Sequence, residues 1–426
     1  MKDYLLEKFF EPERWDYAIS KALDKKMNRA VQIQLAKPEI RIRLMEKIAR
    51  GEYRITPPHT ALIPKDTPGE FRTVYINEDV DRVLLSILND LLFDLCPEMV
   101  HPRCKSYLRG TGCGKVVQGI SREIDQLSHT PGEVVGWKSD LSKYFDSVPL
   151  PYIDAAFDRV EDKFGRSKVI DMVRAYYHCD WYIDTDWVPK QKYQSLKQGC
   201  SVASWLADVL LYHIDDKLSR MDVRYERYSD DMLCIGPDYG KAMETLESEL
   251  AQMEMKLNPK KVEYLSSERW FKFLGFSIKG KDISMSQTRL KKFQYEVEDR
   301  TLRKVRQGIT YEAALKDVNR YLYGNGEFSW ATAVLPIINV RHDVDELNKF
   351  VMDCLRAVKA KRSKGVGGLG FVKNQVIGCI TRGRGRHVSS NRRKTSPILE
   401  GYRTIGCMQN AILTCRPAFD ALVREM

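Results

Sequence analysis

The chain has 426 residues, 43% of them hydrophobic and 30% charged, a balance that suits two or three folded domains and excludes disorder as the main state. No run reaches the roughly 18 consecutive apolar residues of a membrane helix, and the opening MKDYLLEKFFEPERW is too acidic and aromatic for a secretion signal, so the expected location is the cytoplasm. The net charge of +11 is local: segment 356–394 holds twelve Lys or Arg and no Asp or Glu, and the remainder balances 57 basic against 58 acidic residues.

Apolar residues at helical spacing predict helices over 15–50 and 80–96. Between them, TPPHTALIPKDTPGEFRTVYI reads as two short strands around a Pro and Gly turn. A strand ending at Asp140 follows, then a helix beginning near Tyr152. One continuous helix is expected over 201–220. VRYERYSDDMLCIG reads as a hairpin with Ser229, Asp230 and Asp231 at its tip. A helix over 241–255, a strand KVEYL and a second hairpin around WFKFLGFSI come next. The order β, α, ββ, α, β is that of a ferredoxin-like sheet with helices on one face, an α+β arrangement. Beyond Ser286 the chain reads as helical, and the Gly- and Arg-rich tail after Lys361 carries no readable local structure. Ten cysteines without a CxxC pair fit neither a disulfide framework nor a zinc ribbon and read as reduced, mostly buried thiols.

Asp140 at a strand end and the Asp230, Asp231 pair at a hairpin tip each have an ordinary reading, as cap and turn residues. On a ferredoxin-like sheet, however, the first strand and the central hairpin lie side by side, so the three carboxylates can converge, and a converging trio repels itself and demands cations. Hard oxygen ligands suit Mg²⁺, which keeps several waters and takes its remaining ligands from substrate phosphates. Two such ions about 3.5 to 4 Å apart activate an attacking oxygen and stabilise a leaving one during in-line displacement, which is nucleotidyl-transfer chemistry. GTGCGK, by contrast, lacks the spacing of a phosphate-binding loop. His178 beside Cys179 has no partner at zinc-ligand spacing and reads as a packed histidine.

On these motifs the sequence resembles the reverse transcriptases, specifically the prokaryotic branch related to group II intron and retron enzymes, over about residues 50–290. DLSKYFDSV is similar to the family's first catalytic motif, with Asp140 as metal ligand, and YSDD to the second, with Asp230 and Asp231. LKQGCSVASWLAD resembles the motif that places Gln198 and Gly199 beside the templating pair and incoming nucleotide, although Lys197 stands where the family commonly has proline. LNPKKVEYL resembles the motif whose lysine matches Lys261, a candidate proton donor to pyrophosphate, and FKFLGF resembles the primer grip. Phe145 falls at the steric-gate position under the nucleotide sugar, and LIPKDTPGEFRTVYI resembles the fingers hairpin, whose Lys65 and Arg72 would hold the triphosphate. Plainer readings stay open beside these: Phe145 and FLGF as core, Gly199 as the loop before a helix capped by Ser201, and Lys261, Lys65 and Arg72 as solvated cations.

The resemblance implies an α+β right-hand polymerase with fingers, a ferredoxin-like palm and a helical thumb. The expected division is N-terminal helices and fingers over 1–132, palm over 133–285 with fingers elements between the catalytic motifs, thumb over 286–360 and a basic RNA-binding extension over 361–426. In that extension Arg362, Arg382, Arg384, Arg386, Arg392 and Arg393 are the expected RNA contacts, because glycine and serine interleaved with arginine suit a phosphate backbone. A solvated basic surface is the alternative. Two Mg²⁺ ions, dNTPs, a non-coding RNA template and a DNA product are the implied cofactor and partners; a homo-oligomer stays open. No HNH nuclease, no SQ variation and no VTG-type signature is recognised, which leaves the sequence most like the defence-associated reverse transcriptases working with a dedicated non-coding RNA against phage. A group II-like mobile-element enzyme and an RNA-binding scaffold with a polymerase fold are the rival readings.

Overall fold

Apolar spacing in the N-terminal third produces the helices Pro12–Asp24, Arg29–Leu35, Pro38–Ala49 and Asp79–Leu95, the last burying Val83, Leu84, Leu88, Leu91 and Leu92 on its inner face. The computed structural model describes residues 2–24, 27–65, 69–108, 112–127, 133–324 and 329–361. The chain divides into two compact units, Met1–Gly110 with Gly136–Glu263, and Thr111–Val135 with Tyr264–Met426. The six arginines expected to bind RNA lie outside the described residues.

In the first unit, the Pro and Gly punctuated stretch forms β1 (His59–Pro64) and β2 (Phe71–Ile76), antiparallel with Ile63 opposite Arg72. The strand ending in Asp140 is β3 (Gly136–Asp140). Two short strands that the sequence pattern does not announce, β4 (Trp181–Ile183) and β5 (Pro189–Gln191), extend the first pair into a sheet of order β2-β1-β4-β5. The YSDD hairpin is β6 (Arg224–Tyr228) and β7 (Asp231–Ile235), and β8 (Glu263–Leu265) opens with the last residue of this unit. The second sheet has the order β6-β7-β3-β8, the strand order of a ferredoxin-like fold in which the first strand and the hairpin are neighbours. Helices Leu150–Phe164 and Tyr239–Gln252 supply the two crossovers' main helices. One core runs through the unit from Leu5 to Leu257, including Trp15, Trp137, Phe157, Trp205 and Tyr225.

The expected single helix over 201–220 is two helices, Val202–Val209 and Tyr212–Ser219. Its break has a local cause: Tyr144 and Arg227 donate to the Ala207 carbonyl at 2.9 and 3.0 Å, and Arg227 donates to the Asp208 carbonyl at 2.7 Å. Those oxygens are the ones the next helical turn would use, so side chains inserted into the ladder end it.

In the second unit, β9 (Phe271–Phe273) and β10 (Phe276–Lys279) form the hairpin expected around FLGF. Leu274 and Gly275 both have positive φ, +48° and +79°, the backbone of a two-residue primed turn. A third strand, β11 (Asp282–Met285), pairs with β10 and takes residues the sequence pattern leaves unassigned. Gly114, from the GTGCGK run, sits in helix Cys113–Leu127 where a Cβ would come within 2.1 Å of Ile337, so this glycine serves close packing. Helices Gln287–Arg300, Tyr311–Tyr323 and Arg341–Lys359 complete the unit. No helix among the described residues is long and apolar enough to cross a membrane. The seven described cysteines are free thiols, five of them buried.

Candidate active site

The cross-strand register places Asp140, the last residue of β3, directly opposite Asp231, the first residue of β7. Asp230 precedes it in a two-residue turn between Tyr228 and Asp231, which pair across β6 and β7. Ser229 makes that turn with φ +59°, a conformation that costs a residue with a Cβ and persists only when its surroundings hold it. The Leu141 amide donates to the Asp230 carbonyl at 3.3 Å, and the Asn258 amide donates to the Asp140 carbonyl at 2.9 Å. Asn258 in turn accepts from the Lys261 amide at 2.9 Å, so the backbone carries Lys261 to the same place.

Electrostatics report the same convergence. Crowding by the surrounding protein, then repulsion from Asp230 and Asp140, pushes the Asp231 carboxyl up to about 6 although the residue reaches solvent at the hairpin tip. Asp230 is raised by burial and by Asp140. The Lys261 ammonium donates to Asp140 Oδ2, and that pairing, with the charges of Asp230 and Asp231, outweighs burial and holds its pKa above the usual lysine value. Asp140 is 6% exposed and its Oδ1 is buried without a hydrogen-bond partner. An unpartnered buried carboxylate oxygen beside two mutually repelling carboxyls suits a hard divalent cation. Among the described residues no three His, Cys, Asp or Glu are grouped so as to hold a metal ion by themselves.

The remaining expected residues have surroundings of their own. Gly199, φ +110°, lies against β2: a Cβ there would sit 2.6 Å from the Tyr75 carbonyl oxygen, so only glycine fits. Gln198 accepts from the Tyr75 amide at 2.7 Å, which pins the pair to the strand. The Ser201 side chain makes no cap bond, so the reading of Gly199 as a mere lead into a capped helix loses its cap. Phe145 is half-buried, its ring edge-on to Tyr144 at 5.6 Å, and its carbonyl accepts from Leu196 at 3.1 Å. Lys65 is exposed and ion-paired with Glu70 at 3.3 Å, and its charge reaches Asp146. Arg72 is exposed on β2. His178 is not packed: it is exposed and paired with Asp154 at 3.0 Å.

Sequence reasoning passes over the group that holds the hairpin. Arg227 is 0% exposed and binds Asp215, also 0% exposed, through two hydrogen bonds of 2.7 and 2.6 Å, while its other donors reach Ala207, Asp208 and the Ser229 carbonyl. Ser106 accepts from the Ser229 amide at 2.9 Å and donates to Asp208. Burial pushes the Asp208 carboxyl up to about 7. Both faces of the strained Ser229 turn are thus tied into the protein interior. The signal was present: Arg227 lies two residues from the buried Tyr225 on one strand, hence on the same face, and Asp208 interrupts the apolar run WLADVLL.

With that geometry in view, the profile of the family described as reverse transcriptase (RNA-dependent DNA polymerase) matches residues 63–278, just over half of the chain. No curated protein sequence matches the chain. Among solved structures, a Candida albicans telomerase in complex with a fragment of telomeric RNA is similar at 13% identity and a TM-score of 0.39, over 82% of this chain and 66% of that one. An apo Candida tropicalis telomerase truncated from its C-terminal domain is similar at 16% identity and a TM-score of 0.37, over 55% of each chain. The chain thus spans about two thirds and about half of these neighbours, and scores this low do not place it with the telomerases.

Proposed function

The chain belongs to the reverse transcriptases, RNA-directed DNA polymerases, and from that premise we propose that it copies a dedicated non-coding RNA into DNA by two-metal nucleotidyl transfer, in antiviral defence. The observation that carries the chemistry is the convergence of Asp140, Asp230 and Asp231, with Asp140 Oδ1 buried and unpartnered. These three would hold Mg²⁺, which when bound supplies Lewis-acid stabilisation of the charge that develops on the transferring phosphate. Lys261 offsets part of the trio's charge through Asp140 Oδ2 and is the proposed proton donor to the leaving pyrophosphate. Gln198 and Gly199, seated on Tyr75, would contact the incoming nucleotide, and Lys65 and Arg72 its triphosphate. The basic segment 356–394, with Arg362, Arg382, Arg384, Arg386, Arg392 and Arg393, supports an RNA held through its phosphates.

The half-buried ring of Phe145 is proposed to sit beneath the nucleotide sugar. Phe145→Ala then admits ribonucleotides, so the efficiency of rNTP relative to dNTP use rises by an order of magnitude or more for a lost side-chain clash. An unchanged ratio would assign the ring to packing alone.

The dedicated-template reading is tested by purifying the protein with its RNA, adding Mg²⁺ and dNTPs, and sequencing RNA and product together. The expected result is one predominant RNA and DNA complementary to it. DNA copied indiscriminately from many transcripts would remove the dedicated template while leaving the polymerase.

A further inference from the structure

The loop that presents Gln198 and Gly199 has an unusual backbone. Ser195, Lys197 and Gly199 all have positive φ, +49°, +54° and +110°, and the first two carry side chains that disfavour this region. Such a loop needs fastening from outside. Ser195 donates to the Val148 carbonyl at 2.9 Å, Gln194 donates to the Asp180 carbonyl at 2.8 Å, and the Leu196 amide donates to Phe145.

The remaining fastening is made by the residue that departs from the family pattern. Lys197 is 1% exposed. Its ammonium donates to the Cys179 carbonyl at 2.6 Å and to Gln194 Oε1 at 3.2 Å, and lies 4.7 Å from the centre of the Tyr176 ring. Cys179 follows the C-terminal end of helix Lys168–Tyr177, where the backbone dipole favours a cation. A proline could not replace it on this backbone, because its ring fixes φ near −65° and it has no N–H, whereas Lys197 has φ +54° and its amide donates to the Gln194 carbonyl at 3.0 Å.

We infer that Lys197 is a positioning residue for nucleotide binding: its buried ammonium ties the loop 194–199 to the end of helix Lys168–Tyr177 and so keeps Gln198 and Gly199 seated on Tyr75. The inference rests on the proposed role of Gln198 and Gly199 as nucleotide contacts. The group makes this tie at an electrostatic cost: burial lowers its pKa to about 8, against the opposing pull of Cys179, Cys200 and Asp180. A side chain retained buried and cationic in that setting is placed for the bonds it makes.

Lys197→Met keeps the length of the stem and removes the donors, and Lys197→Pro imposes the family residue. Two readouts separate the possibilities in each variant, after circular dichroism has established that it folds: hydrogen exchange of the segment 194–200, which needs no activity, and the steady-state split between KM for dNTP and kcat. In Lys197→Met the loss of a charge-assisted bond should speed exchange of the segment and raise KM by roughly tenfold, with a smaller change in kcat. Lys197→Pro should lose more on both readouts. Wild-type exchange in Lys197→Met, whatever its KM, overturns the positioning role, as does faster exchange with an unchanged KM. Wild-type kinetics in Lys197→Pro overturn it as well. Faster exchange in a protein whose wild-type form makes no DNA under any condition instead removes the polymerase reading and leaves the tie itself standing.

Discussion

Replacing Asp230 and Asp231 together by Asn lowers nucleotide incorporation on the order of 10³-fold or more, because the proposed ligands of ions that would stabilise the transferring phosphate are lost. The fold survives, since the substitution keeps shape and removes like charges. The pH dependence of stability gives a second readout. Asp231 has a folded pKa of about 6 against an ordinary value of 3.8, so in metal-free protein the protonated form fits the fold better. Its favourable contribution is full below 3.8 and is lost as pH rises through about 6. Asp231→Asn therefore flattens the stability profile across that window and unfolds no more easily than the wild type at pH 7. Urea unfolding at several pH values without divalent ions checks it. A variant that loses stability at neutral pH would mean that the carboxylates serve the fold rather than the ions.

Arg227→Met costs about 3 to 5 kcal/mol of stability, the range for removing one partner of a buried ion pair and stranding the other. Asp215 is left as an uncompensated buried charge, the carbonyls of Asp208 and Ser229 lose their Arg227 bond, and the Ala207 carbonyl keeps only Tyr144. The double change Arg227→Met with Asp215→Leu should recover part of the stability, because an apolar pair of similar volume avoids the stranded charge. It should not recover synthesis, since the Ser229 turn carrying Asp230 and Asp231 keeps its Ser106 bond but still lacks the one from Arg227. Unfolding free energies and extension rates of the two variants are the measurement. Full recovery of both would show that Arg227 acts only through stability.

The period-3.6 pattern made most helices legible, whereas the central strands of the second sheet, buried on both faces, were legible as short β-prone apolar runs bounded by turn residues. The hairpin of YSDD, the strand ending in Asp140 and the hairpin around FLGF were readable for that reason. What escaped was decided by tertiary bonds that leave no local period. The helix over 201–220 breaks where Arg227 and Tyr144 take its carbonyls. Strands β4 and β5 are three residues each, too short for alternation to register, and β11 is only four. In the site, the carboxylates were legible from their positions on strand ends, and Gly199 from the resemblance of LKQGCSVASWLAD to a family motif. The seat that Tyr75 provides for Gly199, and the inward turn of Lys197, depend on partners more than 15 residues distant.

Asp140, Asp230 and Asp231 are proposed as the metal-dependent centre of an RNA-directed DNA polymerase. The most direct test of that claim is extension of a labelled primer on a defined RNA template by the purified protein with dNTPs and Mg²⁺, with EDTA and the Asp230→Asn, Asp231→Asn variant in parallel. The predicted result is DNA complementary to the template in the wild type with Mg²⁺, and none above background in either control. Incorporation that persists in the variant, or in EDTA, would contradict the claim.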